Sequence, residues 1–441
     1  MDCLQLSFPN EPQPFADTQI IYSEFKVGTM AYLFDVFPAL STTFLQREVE
    51  ALGRVGLTPL LVSHRRPRAG AYQPGDEKLL ERTFYLRPIN PWRLIKANWK
   101  IAAQYPRGYM KGLRLALVLT GDSPWQRIRN LGRLALTAIL ADFFVQKKVK
   151  HVHVHFAFGA ADLALWLEAL SGLPYSLSVH GSDVLEPIPL LEEKLRRARF
   201  IVSNCAFHVT NLQGLFPSLH RQKFHLVNLG LDLWSELWSR TDPELFCPPL
   251  RILNVARLHP VKNQEVLIRA CAHLEEKGVK FICRIVGDGP ERSRLETLIA
   301  QQKLTSPVEL MGARYEPEVA NLFNWAHVMA LSSRNEGTPM TVIEAMAKGR
   351  PVVAPLITAL PEMVIDGQTG FLCAPQSAED LARKLARFAE NPELIRKMGL
   401  AGRKRAEKIF NIQENTRKLQ SIFVEEMPFL SRENGKDAPW R

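Results

Sequence analysis

Short apolar runs alternate with amphipathic stretches of helical period along most of this chain. That rhythm predicts parallel strands joined by crossover helices. In the first half, residues 29–37 read as a strand, 43–55 as a helix closed by Gly56, and 59–62 as a second strand. Residues 151–156 alternate as a strand. A helix follows at 160–170, stopped near Gly172 and Pro174, and then a strand at 175–179. The rhythm lapses over 233–249, where Pro248 and Pro249 close the segment. It restarts with strands at 250–256, 281–286, 308–311 and 327–331 and helices at 263–277 and 290–302. Ser377 and Asp380 set a capping-box pattern before a helix at 379–388. The expected fold class is α/β, with two doubly wound Rossmann-like domains in tandem at 1–240 and 241–410. A carboxyl-terminal helix and tail, 411–441, cross back to the first. Ligands of such sheets bind beyond the carboxyl ends of the strands, here in the cleft between the domains.

The 441 residues fit two domains at roughly 100–200 residues each. A net charge of +11 favours anionic partners such as phosphates, nucleic acid or an acidic membrane surface, without choosing among them. Cys3, Cys205, Cys247, Cys271, Cys283 and Cys373 show no metal-ligand spacing and read as reduced structural thiols, as in the cytosol. Residues 1–15 carry acids and prolines and lack the apolar region of a signal peptide. The apolar stretch 134–145 contains Asp142 and falls short of the roughly 18 residues of a membrane helix. The expected location is the cytoplasm, free or peripheral on the inner face of the membrane.

The chemistry concentrates in Ser332-Ser333-Arg334-Asn335-Glu336-Gly337-Thr338-Pro339-Met340-Thr341-Val342-Ile343-Glu344. Thr338 is placed to cap a helix, with Pro339 at its first position and Gly349 as its stop. Glu336 then lies in the loop above the helix and Glu344 almost two turns in, beside amides of Met340 and Thr341 that suit an anion. Acids beside an anion site fit a ligand with both hydroxyls and phosphates, such as a nucleotide sugar. A Glu, seven residues, a second Glu and then Ala-Met-Ala-x-Gly-x-Pro-Val-Val-Ala resembles the donor-site signature of the retaining family 4 glycosyltransferases, which have the GT-B fold. The resemblance implies that Glu344 holds the ribose hydroxyls and that Glu336 contacts the donor sugar near its reacting face. Gly337, Thr338, Pro339 and Met340 would line the sugar and phosphates.

Arg257, at a strand's carboxyl end, and Lys262, at the start of the next helix, resemble the family's diphosphate-binding pair. Fixed cations of this kind stabilise a leaving diphosphate. With no Asp-x-Asp motif in the sequence, no metal and no cofactor beyond the donor are expected. Gly287, in the turn Ile285-Val286-Gly287-Asp288-Gly289-Pro290, and Arg314 after the next strand complete the expected donor side, with Arg314 at the base. The family often has Gly before Pro-Glu where this chain has Thr358-Ala359-Leu360-Pro361-Glu362.

In the first half, Phe37-Pro38-Ala39-Leu40-Ser41-Thr42-Thr43-Phe44 is similar to a segment of the exopolysaccharide-type members, such as the colanic-acid and amylovoran glycosyltransferases. Ser41 would approach the phosphate where other members have Gly-Gly. His180, ending a strand, is the expected first-domain contact to the donor sugar. His151, His153 and His155 share one strand face; zinc binding is one reading, and a cleft-lining His155 is the favoured one. Asn228-Leu229-Gly230-Leu231-Asp232 marks the domain exit. Residues 87–150 hold thirteen Lys and Arg and, as acids, only Asp122 and Asp142, with Trp92, Trp99, Tyr105, Tyr109 and Trp125 interleaved. That mix suits an anionic membrane surface and a lipid-linked acceptor; an ordinary basic face is the bland alternative.

The resulting expectation is retaining transfer, without a metal, from a UDP- or GDP-sugar to a saccharide or lipid-linked acceptor in exopolysaccharide or surface-glycan synthesis. One rival is an epimerase or phosphorylase of the same architecture. Another is a basic nucleic-acid or membrane module with a degenerate donor site, which the intact acids and cations oppose; no nucleic-acid partner is expected.

Overall fold

The computed structural model describes residues 30–118, 124–241 and 248–430. The amino-terminal stretch, Cys3, Asp122, Cys247, the middle of the 233–249 segment and the tail from 431 lie outside the described residues. A seven-stranded sheet contains β1 (Met30–Val36), β2 (Leu60–Arg65), β3 (Phe84–Tyr85), β4 (His151–His155), β5 (Tyr175–Val179), β6 (Ile201–Ser203) and β7 (Phe224–Leu226). A six-stranded sheet contains β8 (Leu250–Val255), β9 (Phe281–Val286), β10 (Val308–Gly312), β11 (Val328–Ala330), β12 (Val352–Pro355) and β13 (Gly370–Cys373). The orders are β3-β2-β1-β4-β5-β6-β7 and β10-β9-β8-β11-β12-β13, and neighbouring strands pair parallel. Each order reverses once, between β1 and β4 and between β8 and β11. A doubly wound sheet opens a crevice at that switch point.

The composition of β4 explains why its alternation is not a wet face against a dry one. Val152 and Val154 join the helix-covered core on one side. His151, His153 and His155 point to the other and are also buried. There His151 and His153 bond the Ser176 hydroxyl at 2.8 and 2.7 Å, and His153 reaches Ser178 at 2.8 Å. A central strand of a parallel sheet is covered on both faces; small hydroxyls on β5 partner His151 and His153, while His155 meets Glu48 at 3.4 Å. The expectation that His155 lines the cleft is not met. Its ring stacks on Phe34 in the core and is almost fully buried. Among the described residues no group of three His, Cys, Asp or Glu is arranged to hold a metal ion.

The expected terminal helix is Ile412–Glu426, and its Leu419, Ile422 and Phe423 pack into the core beside Tyr32, Phe34 and Leu45 of the first half. Burying each such side chain stabilises the contact by roughly 1.5–3 kcal/mol. Gly230 admits the crossing, because a Cβ there would lie 2.4 Å from the Ile412 Cα. Residues 91–146, which sequence periodicity left unassigned, form the helices Pro91–Gln104, Pro106–Val118 and Pro124–Gln146. No helix of the described residues is long and apolar enough to cross a membrane.

Candidate functional site

The second-half switch point brings the signature residues together. Lys262 ends a short 3-10 turn after β8, and its ammonium donates to both oxygens of Glu336 at 2.7 and 2.8 Å. The Ser333 hydroxyl adds a third donor to Glu336 at 2.6 Å. Glu336 is buried, so this charge-assisted set fixes a carboxylate that water does not solvate. Arg257, on the same loop, is exposed with no ion-pair partner among the described residues. It is held in place from below. Gly287 (φ 138°) and Gly289 (φ 157°) let the turn after β9 sit on the Arg257 loop, and a Cβ on them would meet the carbonyls of Ala256 at 2.0 Å and Leu258 at 2.3 Å. Gly287 is thus required by backbone packing. Arg314, beyond β10, is exposed at the same edge of the sheet and pairs with Glu318 at 3.5 Å.

The signature helix is Met340–Ala347, one residue later than expected: Pro339 occupies the cap position. Thr338 therefore caps nothing, and its buried hydroxyl lies beside the Cys205 thiol. Pro339 has an extended ψ of 119°, which places it outside the helical turn, while its carbonyl still accepts from Val342 at 3.1 Å. Gly349 (φ 69°) follows the helix end as anticipated. Thr358 opens the segment 358–362, which departs from the family's Gly before Pro-Glu. It adopts the left-handed conformation (φ 44°), and its hydroxyl donates to the Glu336 carbonyl at 2.5 Å, so it supports the Glu336 loop.

Glu344 is also buried, and its partner comes from the first half. Arg47 donates to Glu344 at 3.3 Å and to Glu316 at 2.6 Å, and the Trp238 indole also donates to Glu316 at 2.9 Å. Burial raises the Glu344 carboxyl above its usual value; Arg47 opposes this and Glu316 reinforces it. The second Arg47 nitrogen, Nη1, is buried without a partner among the described residues.

Two further contacts join the halves. A Cβ on Gly181 would lie 2.6 Å from the Gly337 Cα, and one on Gly337 would lie 2.7 Å from the Gly181 Cα. Glu362 accepts the Ala206 and Phe207 amides at 2.8 and 2.6 Å, closing the amino terminus of the helix Ala206–Leu215 from across the cleft. His180 stands next to Gly181. Its ring meets Asn204 at 3.3 Å and His155 at 3.5 Å, and Phe44 and Phe156 pack on it. Burial, with His155 and His208 nearby, pushes its pKa well below the imidazole range, so it is neutral at neutral pH. Its amide donates to Asp183. Ser41 lies in the 3-10 turn Leu40–Thr42, its side chain outside the described ones.

Sequence reasoning missed Arg47, Glu362 and His208. His208 is fully buried, and its ring carbon comes within 3.6 Å of a Cβ built on Gly337. Among the described residues both ring nitrogens lack partners, and burial lowers its pKa to about 4. Nothing local marks these residues. Arg47 and Glu344 are 297 positions apart, and only the packing of the two halves joins them.

Two Rossmann-like sheets carry paired acids and cations at the second switch point. Residues 242–405 match the family described as Glycosyl transferases group 1. The chain is 35% identical over 417 residues to WcaL of Escherichia coli K12, named as a colanic acid biosynthesis glycosyltransferase, covering 88% of this chain and 97% of WcaL. It is 28% identical over 281 residues to the amylovoran biosynthesis glycosyltransferase AmsK of Erwinia amylovora, covering 62% and 68%. The crystal structure of HepE of Anabaena in complex with UDP and glucose superposes with a TM-score of 0.66 at 17% identity, over 91% and 99% of the chains. The chain belongs to the group 1 glycosyltransferases, and its fold is GT-B.

Proposed function

We propose that this enzyme transfers a sugar, with retention of configuration, from a nucleoside diphosphate sugar to a saccharide or lipid-linked acceptor in exopolysaccharide synthesis. The observation that carries the reading is the Lys262–Glu336 pair at the second switch point, with the unpaired Arg257 beside it. Arg257, Lys262 and the amides opening the helix Met340–Ala347 face the diphosphate and stabilise the charge that grows on it as the bond to the sugar breaks. This work needs no metal. Glu336 meets the sugar hydroxyls, Arg314 the base, and Glu344 the ribose once Arg47 yields. The acceptor hydroxyl attacks the anomeric carbon from the side of the departing diphosphate, whose oxygen takes the proton. The names of WcaL and AmsK support the polysaccharide role, and the UDP of HepE supports a UDP-sugar donor.

The test is to incubate the enzyme with UDP- and GDP-sugars and an oligosaccharide or lipid-linked acceptor. Nucleoside diphosphate release and the anomeric configuration of the product are then measured. An inverted product would refute retention, and no release from any donor would refute transfer.

The same reading gives His208 a part in the cleft. Its two unpartnered nitrogens next to Gly337 meet a hydroxyl of donor or acceptor. His208→Phe is expected to slow transfer at least tenfold while the melting temperature holds or rises. Removing buried unpaired polar atoms relieves about 1–3 kcal/mol of desolvation. Unchanged turnover would exclude the role.

A further inference from the structure

The tip of the helices Pro91–Gln104, Pro106–Val118 and Pro124–Gln146 is unlike the rest of the surface. Trp92, Trp99 and Trp125 are 79%, 77% and 75% exposed. Ile95, Val118 and Ile128 are exposed with them. Trp92, Ile95 and Trp99 follow the i, i+3, i+7 spacing and share one helix face. Contiguous exposed apolar surface of this kind marks an interaction site.

Chain direction sets the position of this tip. The helix Pro91–Gln104 follows β3, so it starts at the carboxyl end of the sheet, and the helix Pro124–Gln146 leads into β4, so it also starts there. The two run side by side in the same direction. Asn98 donates to the Ala135 carbonyl at 3.0 Å, and Lys100 pairs with Asp142 at 2.5 Å. The middle helix runs back beside them, with Gly112 against Leu134 and the Tyr109 hydroxyl donating to Asn98 at 2.9 Å. Trp92, Val118 and Ile128 therefore come to one level, with Trp125 about one turn further out. That level is the cleft side of the first half, where Gly181 meets Gly337.

Charge chooses the partner. Residues 91–146 contain nine Lys and Arg and, as acids, only Asp122 and Asp142. Asp142 is paired with Lys100, and Asp122 lies outside the described residues. Lys96, Arg114 and Arg129 are exposed near the apolar side chains of the tip. A second copy of this surface would repel the first. Nucleic acid matches the charge, but bases stack on aromatic rings and gain nothing from exposed Ile and Val. Indoles at the headgroup level, aliphatic side chains below them and cations facing acidic lipid are the chemistry of an interfacial anchor.

We propose that this three-helix tip docks on an anionic lipid bilayer and sets the cleft mouth at the membrane surface. The docking is independent of the donor assignment, because vesicle binding is read without turnover. Sedimentation with phosphatidylcholine vesicles containing phosphatidylglycerol is expected to pull down the full chain, with a blue shift of tryptophan emission. Pure phosphatidylcholine should bind weakly, and added salt should weaken the binding to acidic vesicles. Each basic side chain at such a surface contributes roughly fivefold in affinity. Lys96→Gln/Arg114→Gln/Arg129→Gln should therefore bind about a hundredfold more weakly, and Trp92→Ala/Trp125→Ala should lose the emission shift. Absence of binding at low salt overturns the proposal. So does binding indifferent to both variants, a self-association that the tryptophan variant abolishes, or tighter binding to an oligonucleotide than to the vesicles.

Discussion

Lys262→Ala is expected to lower glycosyl transfer by about a thousandfold, in the range that follows loss of one preorganised donor to a developing anion. The larger part of the effect falls on turnover, because the diphosphate gains charge only as the sugar leaves. The variant also strips a buried carboxylate of its cation. Glu336 keeps Ser333, yet a buried charge without its partner is destabilising, so the melting temperature should fall. The double variant Lys262→Ala/Glu336→Gln separates the two effects. Neutralising Glu336 should recover most of the stability and none of the activity. If Lys262→Ala turns over at a near-normal rate, the assignment of this pair to the diphosphate and sugar is wrong.

Gly337→Ala is expected to reduce transfer at least a hundredfold by a different route. Its Cβ would fall 2.7 Å from the Gly181 Cα, and both obstacles are backbone atoms, so only a shift of one half against the other makes room. Misplacing reacting groups by about an ångström costs on this scale. The cores of the two halves lie elsewhere, so thermal stability should change little. Nucleotide binding, which rests on second-half residues, should weaken less than transfer does. Gly181→Ala should behave in the same way, and small-angle scattering of either variant should report a more open molecule. Wild-type activity in both variants would mean that this close approach is not needed for the reaction.

The two sheets were legible because their long central strands are apolar and bounded by helix signals. The short strands β3, β6 and β7 were not, since two or three residues carry no period, and the four-residue strands β12 and β13 were not read either. The helices at 91–146 were not read, although Trp92, Ile95 and Trp99 fall at helical spacing, and the same residues now mark a surface. In the candidate site, Glu336 and Glu344 stand in one contiguous segment and Arg257 and Lys262 in another, and Lys262 meets Glu336 directly. Arg47, Glu362 and His208 were not readable, because each matters only through a residue of the other half. The spacing of the histidines in β4 was correct, but burial on both faces makes them core residues. Thr338 missed its cap by one position because Pro339 took it.

The central claim is that the segment around Glu336 and Glu344 grips a nucleotide sugar. Thermal denaturation of the wild type and of Glu344→Ala with UDP-, GDP- and ADP-sugars tests it most directly. A ligand at a hundred times its dissociation constant stabilises the folded state by about 2.7 kcal/mol. One class of donor should therefore raise the wild-type melting temperature by several degrees, and Glu344→Ala should lose most of that rise. No stabilisation by any nucleotide sugar, or an equal rise in both proteins, would contradict the account.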